Sequence, residues 1–84
     1  MNYDTPNSRA GRAIRVLLAE RGESIEALSD GTGISNSTLK RRLLGATSFT
    51  IDELGLVAQY FDVPLTHVVV SPAEREAQAA AVLA

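Results

Sequence analysis

Apolar positions in this chain recur three and four residues apart, the period of an α-helix. Ala10, Ala13, Ile14, Leu17 and Leu18 mark the buried stripe of a first helix. It is expected to start near Asn7 or Ser8 and to end at Arg21, with Gly22 just past its end. Ala27 and Leu28 supply the inward face of a second, over residues 25–31, with Ser24 as its N-cap. Leu39 and Leu43 lie one turn apart on a third, over residues 36–44, capped by Ser35 and stopped by Gly45. Leu54, Val57, Ala58 and Phe61 form the stripe of a fourth. It opens on Thr50-Ile51-Asp52-Glu53, a capping box in which Thr50 bonds the N3 amide and Glu53 reaches back. Asp62-Val63-Pro64 ends it, and Pro64 suits the first turn of a short helix over 64–69. Ser71-Pro72-Ala73-Glu74 then starts an alanine-rich helix over 72–83. The pattern is all-α: a tail over 1–6, a helical domain over 7–70, and a C-terminal helical segment over 71–84.

Residues 24–45 hold two short helices joined by a tight turn. Gly33 gives that turn a positive φ at no steric cost, and Ile34 drops into the core. Helix, glycine turn, helix is the helix-turn-helix pattern. At ~100° per residue, Leu39 and Leu43 share one face of the second helix. Ser37, Lys40 and Arg41 point the other way, with Asn36 on one border and Thr38 and Arg42 on the other. The major groove of B-DNA admits one α-helix, and its base edges pair with Arg or Lys at guanine and with Asn or Gln at adenine. Asn36, Ser37, Lys40 and Arg41 are therefore the candidates for base contacts. Phosphates take hydroxyls and the remaining cations. Ser35, Arg42, Thr47 and two first-helix arginines, Arg9 and Arg12, are the candidates there. The plain alternative is that residues 40–42 form an ordinary solvated face on a helix kept for packing.

Residues 24–45, followed by Ser48-Phe49-Thr50-Ile51-Asp52-Glu53-Leu54 and Ala58-Gln59-Tyr60-Phe61-Asp62-Val63-Pro64-Leu65, resemble the Cro and phage-repressor type of helix-turn-helix regulator. The likeness spans residues 11–69, and the 38–43 run is similar to versions in actinobacterial and phage regulators. It implies a compact five-helix, lambda-repressor-like domain, here followed by the alanine-rich helix. It also implies DNA binding through the third helix and, usually, a homodimer on a near-palindromic operator. Three departures stand out. Ile25 replaces the glutamine with which many relatives reach a phosphate. The 46–49 loop has no Lys or Arg. Leu18 and Leu43 stand where many relatives carry an Arg–Glu ion pair. Exchanging both partners of a buried pair for apolar residues is often neutral or stabilising, whereas exchanging one strands a charge. Leu18 and Leu43 are accordingly expected to meet. Some phage repressors wrap DNA with a basic N-terminal arm; residues 1–6 contain no Lys or Arg, so no arm is expected.

Charge and composition narrow the picture. The 84 residues carry a formal net charge of −2, unusual for a nucleic-acid partner. The distribution is uneven. Residues 1–44 hold seven basic and five acidic side chains, and residues 45–84 hold one and five. A basic half suits DNA, while so few cations predict weak non-specific affinity. No cysteine and a single histidine, His67, leave no thiol site and no typical zinc site. No metal, cofactor or enzymatic role is expected. The N-terminus lacks the apolar core of a signal peptide, and no apolar run reaches the roughly 18 residues of a membrane span, so a cytoplasmic protein is expected. A second function class stays open. In small antitoxins and anti-repressors this fold captures a protein partner, for which the acidic half and the C-terminal helix would be the surface.

Overall fold

Five α-helices, with no strand among them, make up residues 6–69, the part of the chain that the computed structural model describes. They are α1 (Pro6–Arg21), α2 (Ile25–Thr32), α3 (Asn36–Leu43), α4 (Ile51–Phe61) and α5 (Thr66–Val69). Helix α1 starts at Pro6, earlier than the expected Asn7 or Ser8. Proline suits a first helical position, where its missing N–H has no intrahelical partner to lose. The short last helix begins at Thr66, not Pro64; Pro64 and Leu65 form the turn whose carbonyls accept from His67 and Val68. The alanine-rich helix over 72–83 lies outside the described residues. No helix among those described is long and apolar enough to cross a membrane.

The caps fall where the side chains favour them. Ser24 accepts from the Ala27 N–H and Ser35 from the Thr38 N–H. Thr50 and Glu53 close the full capping box. Helix α4 ends on Asp62 in the left-handed region, φ 56°, with the Val63 N–H returning to the Ala58 carbonyl. Asp visits that region more readily than most side chains because its short polar group bonds locally.

One core serves all five helices. Ile14, Leu28, Leu39, Val57, Phe61 and Val68 are its most deeply buried large side chains. Phe49 and Tyr60 pack at its margin. Helix α1 lies against α3 and α5, and α2 bridges α3 to α4. No polar residue is buried among those described, so burial of apolar surface, about 1.5–3 kcal/mol per large side chain, is what assembles the helices.

Two arginines of α1 reach the ends of other helices. The Arg15 guanidinium donates to the Leu43 carbonyl at the end of α3. Arg21 donates to the Phe61 carbonyl at the end of α4, 3.1 Å away, and sits 5.7 Å from the centre of the Phe61 ring. A cation suits a helix C-terminus, where unpaired carbonyls concentrate negative potential. Gly11 lets α1 come close enough for the first of these contacts. A Cβ there would lie 3.2 Å from the Leu43 carbonyl oxygen.

Gly11→Leu should therefore overpack the α1–α3 junction and destabilise by about 1–3 kcal/mol. Gly55, inside α4, has nothing within 4 Å of an added Cβ, so Gly55→Ala should stabilise by about 0.5–1 kcal/mol. Thermal unfolding of the two variants should move in opposite directions; a shared direction would refute the close-approach assignment of Gly11.

Candidate nucleic-acid interface

The turn between α2 and α3 is held by more than its glycine. Gly33 takes φ 80°, and Ile34 beyond it is buried. Ser29 donates its hydroxyl to the Ile34 carbonyl at 2.6 Å. Thr32 donates to the Leu28 carbonyl at 2.7 Å and accepts the Ile34 N–H at 3.2 Å. The bonds to the Ile34 carbonyl and N–H satisfy backbone groups of the turn and tie it to α2. The sequence reading missed Ser29 and Thr32. The signal was there: Ser and Thr near a short helix end bond locally to backbone.

Helix α3 then presents two different faces. Leu39 is 0% and Leu43 4% exposed, which seals one side to the core. Ser37, Lys40 and Arg41 are exposed on the other. Among the described residues no side-chain hydrogen bond or ion pair engages these three. Asn36 behaves differently. It is half-buried, its Nδ2 lies 3.5 Å from Glu26 Oε2, and its Oδ1 is buried with no partner. At that separation the bond is weak. The Glu26 carboxyl is held below its ordinary pKa by a backbone hydrogen bond first, then by the Asn36 amide, with the Lys40 charge adding a smaller pull.

The expected phosphate contacts separate into three groups. Ser35 Oγ accepts the Thr38 N–H and donates to Thr38 Oγ1 at 2.8 Å, so its hydroxyl already serves as the cap of α3. Arg12 is exposed and Arg9 half-buried; both have contacts within the protein. Arg42 turns to the protein. Its Nε and Nη2 donate to Glu53 Oε1 and Oε2 at 2.9 and 3.1 Å, and its Nη1 donates to Thr47 Oγ1 at 2.7 Å. Arg15, a third arginine of α1, holds the Leu43 carbonyl.

Leu18 and Leu43 are both buried in the one core cluster. They also line the same groove of about 490 Å³, together with Ile25, Leu44, Arg15 and Lys40. The two leucines thus face the same groove.

A Cro-type helix-turn-helix family model matches residues 13–68, from the middle of α1 to the buried Val68 of α5. The chain belongs to this helix-turn-helix family. No curated protein and no solved structure matches it. Members of the family are DNA-binding regulators, and this chain is accordingly a DNA-binding helix-turn-helix regulator. Within the family pattern, α2 and α3 form the motif, and α3 carries the exposed Lys40 and Arg41.

Hydrogen bonds from Arg42 hold the Glu53 carboxyl below its ordinary pKa; burial opposes them and the Thr50 N–H assists. A depressed folded-state value adds stability that is present above the unfolded-state pKa and is lost as pH falls through the folded-state value. Wild-type melting temperature should therefore drop across that acidic window. Glu53→Gln should melt lower at neutral pH and show a flatter acid limb. Melting-temperature curves that run parallel across the pH series would show that this carboxylate is not involved.

Proposed function

We propose that the chain is a sequence-specific regulator of transcription of the phage-repressor or Cro kind, acting as a homodimer on a near-palindromic operator. One observation carries the proposal: Ser37, Lys40 and Arg41 stand exposed, with no side-chain hydrogen bond or ion pair among the described residues, on a helix whose opposite face is sealed by Leu39 and Leu43. Rigid presentation matters, because a base contact made by an unfixed helix loses its geometry along with its affinity. In this reading α3 enters the major groove. Lys40 and Arg41 take guanine edges, and Ser37 takes a neighbouring base. Asn36 leaves its weak contact with Glu26 to pair with an adenine, which would give its buried Oδ1 a partner. Thr47, Arg9, Arg12 and the N-terminal turn of α3 at Ser35 meet phosphates. Two copies would place their α3 helices about 34 Å apart, one turn of DNA. Occupancy would then exclude polymerase from an overlapping promoter, in the cytoplasm of a cell that keeps its DNA there.

Selection of bound sites from random duplex DNA tests this directly. The expected product is an inverted repeat with half-sites centred about 10 base pairs apart. A pool that never enriches would end the proposal. On a selected site, Arg41→Ala should cost about 1–3 kcal/mol and relax preference at one base pair per half-site. If Arg41→Ala instead weakens every sequence equally, Arg41 is a phosphate contact. Affinity should fall steeply with salt, since even a few phosphate contacts release counterions.

A further inference from the structure

Arg42 sits on the last turn of α3, beside two cations assigned to DNA, yet all three of its guanidinium nitrogens are taken. Nε and Nη2 form a two-pronged fork on Glu53, at 2.9 and 3.1 Å. Nη1 reaches Thr47 Oγ1 at 2.7 Å. The two charged side chains are only 18% and 17% exposed, so water screens the pair less than it would a surface bridge. Glu53 is itself anchored. Its Oε1 accepts the Thr50 N–H at 2.9 Å, and its own N–H donates to Thr50 Oγ1 at 3.0 Å. One carboxylate thus closes the N-terminus of α4 and grips the C-terminal turn of α3. The loop between them is tied at its middle through Thr47. Because Thr47 Oγ1 accepts from Arg42, its O–H remains as the donor the hydroxyl can offer elsewhere.

We infer that Arg42 and Glu53 are positioning residues for DNA recognition, holding α3 at a set angle to α4 and leaving the Thr47 hydroxyl proton for the DNA backbone, and that Arg42 is not itself a DNA ligand. The inference rests on the reading of α3 as the recognition helix. It differs sharply from a phosphate role for Arg42. If Arg42 bound phosphate, Glu53 would compete with DNA for it, and removing the Glu53 charge would tighten binding. If the fork positions α3, removing that charge loosens the helix and weakens operator binding.

The experiment compares wild type, Glu53→Gln, Arg42→Met and Arg42→Lys on a selected operator and on a random duplex of equal length, each across a salt series. Thermal melts and amide NMR spectra establish that each variant is folded. All three variants should bind the operator about tenfold more weakly, a loss of about 1.4 kcal/mol, while random-duplex affinity stays within about twofold of wild type, as a change of under 0.5 kcal/mol requires. The slope of log affinity against log salt should not change, whereas loss of one phosphate contact lowers it by about 0.9. Arg42→Lys keeps the charge but not the planar fork, so it tests the geometry even if Arg42→Met does not fold. Tighter operator binding by Glu53→Gln, wild-type behaviour of Arg42→Lys, or a flattened slope for Arg42→Met would each overturn the positioning role and leave the recognition-helix reading intact. A wild-type protein that selects no operator would overturn both.

Discussion

An eight-residue helix such as α3 is too short to persist in water by itself, since isolated helices below about 12–15 residues are marginal. Its order has to come from what it packs on. Leu39 and Leu43 carry the apolar part of that load, buried to 0% and 4% exposure. Ser35 closes the first turn. At the other end the Leu43 carbonyl receives Arg15, and Arg42 is locked to Glu53. Every exposed group on the far side, Lys40 and Arg41 above all, inherits its position from these attachments.

The same arrangement explains how a chain of net charge −2 can serve as a DNA-binding regulator. The basic half does not act as one positive surface. Arg15 and Arg21 hold carbonyls at the ends of α3 and α4, and Arg42 holds a carboxylate. Lys40 and Arg41 remain exposed on α3. Under the proposed function, so few cations on α3 would make electrostatic attraction to arbitrary DNA small and leave base-edge contacts a large share of affinity. Weak general affinity raises discrimination, because specificity depends on the ratio of the two.

The chain places leucines in its core and an ion pair at its rim. Leu18 and Leu43 lie in the core cluster. A full ion pair in such a place must repay the desolvation of two charges, and apolar substitutes are often as good or better. The pair formed by Arg42 and Glu53 sits instead at the rim of α3 and α4, part-exposed. There the desolvation cost is lower, and the planar fork still confers a defined geometry.

Much of the fold was legible in the residues because its causes are local. Caps at Ser24, Ser35 and Thr50, the left-handed turn at Gly33 and the stripes through Ile14, Leu39 and Val57 depend on neighbours within a few positions. The exposed face of α3 followed from the same spacing, and the family from the resemblance of the runs that flank it. The partners of Arg15, Arg21 and Arg42 did not. An arginine in a helical pattern reads as a solvated or DNA-facing cation wherever it falls, and only the fold shows whether a carbonyl or a carboxylate from a distant turn comes within reach. Asn36 makes the same point: its register put it on the border of the recognition face, and packing against α2 turned its amide toward Glu26. Periodicity and capping chemistry thus determined which helices form and which face outward. Tertiary packing decided which of the outward charges remain available, because a long flexible side chain takes its partner from three-dimensional proximity, which one-dimensional spacing does not encode.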